Sequence, residues 1–236
     1  MVDPQPTTRF SWLLLSFLVL GAFGSVVSSA YAQCEPTTPL PDQKRTRMKH
    51  RKPASRGTRA TRVAVGDVLA WETPEDITDK DVKNSNDPID PREEEVFEAE
   101  GDLWRAAEES NDCDYHLELS APGKTAKDDR IIVEIPIDLG YATARQNLLD
   151  ALNADDRAKL ETEGEVLLTK AVRVRVRGDA FFDAFHYSAK FDPAKPGKCK
   201  FTKEQKLKRG NNHGTCSVGT LWELHPVWKL EAVIAH

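Results

Sequence analysis

Three segments in the middle of the chain alternate between apolar and polar residues, with turn-forming residues between them: residues 94–108, 114–119 and 130–136. In the second segment, Tyr115, Leu117 and Leu119 occupy every other position. A period of two is typical of a β-strand that buries one face. The pattern therefore predicts three antiparallel strands joined by turns, the first of them long and bent at Gly101.

The period changes after the third strand. Apolar residues within 142–161 recur at helical spacing among charged ones, which favours an amphipathic helix with a break at Asn153. Alternation returns in residues 171–182 and 220–234. Three strands, a helix and two strands are the order of the OB-fold, a five-stranded Greek-key barrel. We predict a mainly β fold with one helix and an OB-like barrel; the alternative is an open antiparallel sheet.

The N-terminal residues follow the pattern of a secretory signal. Arg9 precedes the apolar run Phe10–Gly21, and small residues lead to an Ala-x-Ala motif that ends at Ala32. Such a leader is cleaved after export, and an uncleaved anchor is the alternative. The prediction is an exported protein, periplasmic, cell-surface or extracellular, with no membrane span after cleavage. The predicted signal peptide covers residues 1–32, and a disordered or extended basic arm follows at residues 33–62. An irregular acidic linker that packs on the core covers residues 63–92, and the barrel domain covers residues 93–236.

Charge is distributed unevenly along the 236-residue chain, whose net charge is −5. Residues 44–62 hold nine basic residues and no acid, whereas residues 72–109 hold fifteen acids and four basic residues. Either the two stretches attract each other, or the basic one binds an anionic partner.

Four cysteines follow the predicted cleavage site: Cys34, Cys113, Cys199 and Cys216. An even number of cysteines in an exported protein favours disulfides. Three pairings are open. A bond between Cys34 and Cys113 would pin the arm, and a bond between Cys199 and Cys216 would close a long loop.

Four motifs along residues 63–236 carry a resemblance to a known family. They are D-x-D-x-H-L within residues 111–119, E-x-P within 133–136, F-x-D-x-x-H within 181–186 and W-E-L-H-P within 221–227. In this order they resemble a family of uncharacterised exported bacterial proteins. The resemblance implies the compartment and an OB-like fold, and it implies no reaction.

The same motifs contain three histidines and several acids, at His116, His186, His225, Asp112, Asp114, Glu134, Asp183 and Glu223. Strand alternation places His116 and His225 on the face opposite to the core. Imidazole and carboxylate suit zinc or another divalent ion that activates water. The candidate metal ligands are therefore His116, His186, His225, Asp183 and Glu223. The alternative is structural, because outward His and Glu side chains also pair with arginines and fix strand register.

A basic loop precedes the last strand, and its candidate ligand-binding residues are Lys198, Lys200, Phe201, Lys203 and Arg209. In OB-folds this loop often contacts oligonucleotides or oligosaccharides. Lysine and arginine neutralise phosphates, and an aromatic ring stacks on a base or sugar. The alternative is a solvated loop without a ligand.

These patterns favour a binding module over an enzyme. We expect its partner to be an anionic polymer, such as nucleic acid or an envelope glycan, or an acidic protein surface. A metal-dependent hydrolase that uses the His and carboxylate residues is one alternative, and a structural or interaction protein of the cell surface is another. No cofactor other than a divalent metal is indicated, since the sequence lacks the H-E-x-x-H, G-x-S-x-G and phosphate-loop motifs.

Overall fold

Five long strands close into a β-barrel in the computed structural model, which describes residues 34, 45–52, 59–75, 77, 87–110, 112–184 and 218–233. The elements are α1 (Thr46–Lys49), β1 (Thr61–Ala64), α2 (Val65–Ala70), β2 (Val96–Glu108), β3 (Tyr115–Ser120), β4 (Arg130–Ile135), α3 (Ala142–Ala151), α4 (Ala154–Glu163), β5 (Glu165–Phe182) and β6 (Val218–Ala232). Short 3₁₀ helices lie at Pro91–Glu94 and Leu139–Tyr141.

The order of strands around the barrel is that of the OB-fold. β2 pairs with β3 and also with β5, so the sequence β2–β3–β4–β6–β5 returns to its starting strand. The pairing of β4 with β6 is parallel, and the other pairings around the barrel are antiparallel. The predicted OB-like barrel is confirmed, and the open sheet is excluded because β2 and β5 join its two ends. β1 adds a parallel partner to the first half of β2.

The barrel interior consists of the apolar residues that alternation predicts. Leu117 of β3, Val174 of β5 and Leu224 of β6 belong to one buried cluster. Side chains on successive strand residues point to opposite faces, so one face of each strand supplies this core.

The first strand of the barrel is irregular at a different place from the predicted bend at Gly101. The register shift in β2 falls between Leu103 and Arg105. A Cβ atom on Gly101 would lie 2.8 Å from the carbonyl oxygen of Ser120. Glycine at this position therefore permits a close approach of the neighbouring strand.

Two helices, rather than one, connect the third and fourth strands of the barrel. α3 ends near Leu152, and α4 begins after Asn153, whose side-chain oxygen accepts a hydrogen bond of 2.9 Å from the backbone N–H of Asp156. Asparagine is a preferred N-cap residue, so it both ends the first helix and starts the second. The predicted break is therefore present, and the connection is a helix pair.

Part of the basic arm is folded, in contrast to the expected disordered or extended arm at residues 33–62. The side chain of Arg45 is 1 % exposed, Met48 is buried, and residues 46–49 form a helical turn. The bidentate pair of Arg45 with Glu93, at 2.7 Å for both contacts, holds this segment against the barrel. Arg45 of the basic stretch 44–62 and Glu93 of the acidic stretch 72–109 thus attract each other, which is one of the two alternatives considered for these stretches.

Cys34 and Cys113 form a disulfide across a sequence separation of 79. Cys199 and Cys216 lie outside the described residues, as do the predicted signal peptide and the basic loop. Within the described part of the chain, no helix combines the length and apolar character needed to cross a bilayer.

Candidate metal centre

The outward face of β3 and β4 carries charged side chains, and these side chains are buried. His116 is 4 % exposed, Glu118 0 % and Glu134 3 %. Alternation places them outside the barrel, as expected, but a second layer of protein covers them. Residues 45–52 contribute to this layer, because Lys49 and His50 reach carboxylates of the same wall.

Three ligand-type side chains meet at the centre of this wall: Asp114, Glu134 and His225. One ligand atom from each lies within 4.8 Å of the other two. Asp114 precedes β3, Glu134 lies on β4, and His225 lies on β6, whose register pairs Val133 with Leu224. The parallel pairing of β4 with β6 thus brings the E-x-P and W-E-L-H-P motifs side by side.

The imidazole of His225 is fully buried and is only half satisfied. Its Nε2 atom lies 3.2 Å from Oδ2 of Asp114 with hydrogen-bond geometry. Its Nδ1 atom lies 2.9 Å from Oε2 of Glu134 and 3.6 Å from Oε2 of Glu223. Neither Nδ1 contact has hydrogen-bond geometry, and Nδ1 has no hydrogen-bond partner among the described residues.

Charges in this cluster shift each other's pKa values. Burial opposes ionisation of Glu134, but the charges of Lys49 and His225 outweigh burial and hold its pKa well below the usual value. Burial likewise disfavours the charged form of His225, yet Glu134 and Asp114 raise its pKa well above the usual value. Burial raises the pKa of Asp112, and the charge of Asp114 adds to that rise. The centre is therefore a buried cluster of opposite charges, in which Lys49 and His225 face a larger number of carboxylates.

Further side chains surround the three central ones. Nδ1 of His116 donates a hydrogen bond of 2.9 Å to Oε1 of Glu134. Glu223 lies beside His225, as described above, and Asp183 is buried near enough for its charge to raise the pKa of Lys49. Glu134 thus receives contacts from two histidines, one on each neighbouring strand.

The structural role expected for outward charges is found elsewhere on the barrel. Glu118 accepts hydrogen bonds from Arg105 and Arg130 at 3.1 and 3.0 Å. Arginines of β5 pair with acids of β2 along the wall, and these pairs are Arg173–Asp102, Arg175–Glu100 and Arg177–Glu98. Arginine satisfies the carboxylates at these places, whereas the contacts described for His225, Glu134 and Asp114 join them mainly to one another and to residues of the arm.

The structure brings together the candidate metal ligands that it describes. His116, His225 and Glu223 lie in one cluster, with Asp183 close to Lys49, while His186 lies outside the described residues. The candidate binding residues Lys198, Lys200, Phe201, Lys203 and Arg209 also lie outside them. Lys49 and His50 were not predicted, because they stand in a basic segment without any strand or helix period.

Comparison of the chain with models of known protein families, with curated proteins and with solved structures gave no match in any of the three.

Proposed function

We propose that this protein binds a divalent transition-metal ion, such as Zn²⁺ or Mn²⁺, between Asp114, Glu134 and His225. The observation that carries the proposal is the meeting of these three buried side chains, with one ligand atom from each within 4.8 Å of the other two. Glu134 and Asp114 hold a proton on His225 by raising its pKa against burial, and a bound ion would take the place of that proton.

The donor set also indicates the class of metal. Imidazole together with carboxylates suits Zn²⁺ and Mn²⁺, whereas Mg²⁺ and Ca²⁺ prefer all-oxygen sites. The buried carboxylates outnumber the two cations beside them, Lys49 and His225, and this excess favours an additional cation, since uncompensated buried charge is expensive. His116, which hydrogen-bonds Glu134, would orient that carboxylate as an outer partner of the ion.

Metal titration of the oxidised, mature protein tests this proposal. We expect stoichiometric binding of Zn²⁺ or Mn²⁺ in competition with a chromophoric chelator. Glu134→Gln should weaken binding by more than the roughly 10–100-fold that loss of an outer-shell partner costs. Glu163→Gln, an exposed acid at the end of α4, is the matched control and should bind as the wild type does. Absence of binding by the wild type, or full binding by Glu134→Gln, would overturn the proposal.

A hydrolytic reaction is the second candidate, and the position of Asp112 favours it. Water bound to such an ion loses a proton near neutral pH. Oδ1 of Asp112 accepts a hydrogen bond of 3.4 Å from the backbone N–H of Asp114, so its carboxylate would be the base beside the ion that accepts that proton. Chromogenic esters and phosphodiesters should be hydrolysed by the metal-loaded wild type and not by Glu134→Gln. Equal rates for the two proteins would remove this candidate.

Export is part of the proposal. The pattern of residues 1–32 and the disulfide between Cys34 and Cys113 support it, since such bonds persist in oxidising compartments. Expression of the full chain in a bacterium should give a mature protein in the periplasm or medium that begins at Gln33. An uncleaved N-terminus in the cytoplasmic fraction would contradict export.

A further inference from the structure

The folded part of the basic arm crosses the outer wall next to the proposed metal centre, and contacts outside that centre hold it there. Arg45 forms its buried pair with Glu93 at one end. At the other end, Arg51 lies 3.3 Å from Asp179, and the hydroxyl of Tyr141 donates a hydrogen bond to the backbone carbonyl of Arg51. Residues between these anchors therefore have fixed positions relative to the barrel.

His50 lies between the anchors, and its two ring nitrogens have different surroundings. Nδ1 lies 2.7 Å from Oδ2 of Asp138 in a hydrogen bond. Nε2 is buried, lies 3.5 Å from Oδ2 of Asp114, and has no hydrogen-bond partner among the described residues. A hydrogen bond from Nδ1–H to Asp138 leaves a lone pair on Nε2, on the side of the ring that faces Asp114.

This arrangement is the one that metal-binding histidines adopt. Their distal ring nitrogen almost always donates to a carboxylate or carbonyl, which fixes the tautomer and the ring orientation. Asp138 is half exposed and lies outside the central cluster, so it acts on His50 from the far side. The ring centroids of His50 and His225 lie 6.4 Å apart, and the Nε2 atoms of both rings face Oδ2 of Asp114.

We propose that His50 is a further ligand of the ion held by Asp114, Glu134 and His225, so that the ion joins the N-terminal arm to the barrel. This inference rests on the proposed metal centre. It assigns the arm a role in the site, with Asp138 as the positioning residue for His50. Binding of the ion then tightens the arm against the outer wall, and loss of the ion loosens it.

X-ray absorption of the Zn²⁺-loaded, full mature chain tests the ligand set directly. We expect two imidazole ligands in the wild type and one in His50→Ala, with an affinity for Zn²⁺ lowered roughly tenfold or more. Asp138→Asn should keep two imidazoles and weaken binding by about tenfold, because it removes only the orienting carboxylate. Lys52→Ala, two residues further along the same arm, is the matched control and should change neither quantity.

Limited proteolysis supplies a readout of the arm itself. Zn²⁺ should slow tryptic cleavage after Arg47 in the wild type and in Lys52→Ala, but not in His50→Ala. If His50→Ala does not fold, Asp138→Asn and the count of imidazoles in the wild type still decide the question.

The outcomes separate the two proposals. Binding of Zn²⁺ by the wild type with a single imidazole, or unchanged affinity in both His50→Ala and Asp138→Asn, would overturn the role of His50 and leave the metal centre standing. Absence of Zn²⁺ binding by the wild type would overturn both.

Discussion

At the scale of single residues, the pair of Arg45 and Glu93 is a buried ion pair between arm and barrel. Both side chains are buried, and their contacts are bidentate at 2.7 Å. Glu93 also accepts hydrogen bonds from the backbone N–H groups of Ile89 and Phe182, at 2.8 and 2.9 Å. One carboxylate thus satisfies a guanidinium and two backbone donors from three different parts of the chain.

Glu93→Gln should destabilise the protein strongly, because it removes the carboxylate that is paired with the buried guanidinium of Arg45. Breaking a buried pair in this way costs about 3–5 kcal/mol. Urea unfolding followed by tryptophan fluorescence measures the free energy of unfolding. The control is Arg157→Ala, which removes an exposed pair with Glu161 on α4 and should cost about 0.5 kcal/mol or less. Equal effects of the two variants would contradict the structural importance of Glu93.

The pair of Glu98 and Arg177 links stability to pH. The hydrogen bond from Arg177, at 2.6 Å, lowers the pKa of Glu98 in the folded protein despite partial burial. A lowered folded-state pKa gives stability that is present above the unfolded-state pKa and is lost as the pH falls through the folded-state value. The contribution of Glu98 should therefore disappear on the acid side and persist at neutral pH.

Glu98→Gln should lower stability at neutral pH by about 0.5 kcal/mol, as is usual for pairs near the surface. The difference from the wild type should vanish as the pH falls below the carboxylate range. Urea unfolding at a series of pH values measures it, with Glu163→Gln as a variant that keeps the wild-type pH profile. A constant difference at all pH values would contradict the assignment to ionised Glu98.

At the scale of elements, alternation predicted each strand of the barrel and the face that it buries. It placed Leu117, Val174 and Leu224 inside and His116 and His225 outside, and the structure confirms these positions. Alternation does not reveal a second protein layer over the outward face, because a covered polar face and a solvated one have the same sequence pattern. Burial of Glu134 and His225 was therefore beyond prediction.

Gly178 permits β5 to lie close to β6. A Cβ atom on Gly178 would lie 2.6 Å from the carbonyl oxygen of Pro226 and 2.7 Å from Cγ2 of Val227. The register of the β5–β6 pair shifts on both sides of this residue. Because backbone atoms form part of the contact, the clash is not relieved by a side-chain rotation.

Gly178→Ala should destabilise the barrel by about 1–3 kcal/mol, the usual cost of overpacking. Gly66→Ala is the matched control, since a Cβ atom there meets nothing within 4 Å and the residue lies in α2. Alanine inside a helix is favoured over glycine by about 0.5–1 kcal/mol, so this variant should be more stable than the wild type. The midpoint temperature of thermal unfolding should fall in Gly178→Ala and rise in Gly66→Ala. A higher midpoint in Gly178→Ala would contradict the close approach of the two strands.

At the scale of the whole molecule, contacts distant in sequence complete the proposed centre. The disulfide spans 79 residues, and Arg45 and Glu93 are 48 residues apart. Motif residues such as Glu223 were recognisable as candidates because each lies in a patterned strand. Lys49 and His50 were not, because only tertiary packing places the arm over β3 and β4. Local periodicity predicts the barrel well and its covering layer poorly.

The outer wall has consequences for the anionic ligand predicted from the basic loop. OB-folds often bind polymers across the face of their second and third strands, but in this chain that face holds buried acids such as Glu118 and Glu134. Because these side chains are buried, a polymer does not reach them. We therefore propose that any such polymer contacts the loop residues Lys198, Lys200, Phe201, Lys203 and Arg209 instead.

Fluorescence anisotropy with a single-stranded oligonucleotide tests this placement. The affinity for the oligonucleotide should fall as the salt concentration rises. Replacing the four basic residues among those five by alanine should reduce the slope of log K against log salt by up to about 3, since each lost phosphate contact accounts for roughly 0.7. Phe201→Ala should weaken oligonucleotide binding without changing that slope, because stacking carries no charge. The double variant Lys124→Ala/Lys127→Ala, in the exposed turn between β3 and β4, removes two positive charges elsewhere and should leave affinity nearly unchanged. If each removed charge costs the same binding free energy in the turn variant as in the four-charge loop variant, binding follows net charge alone and the loop is not a site.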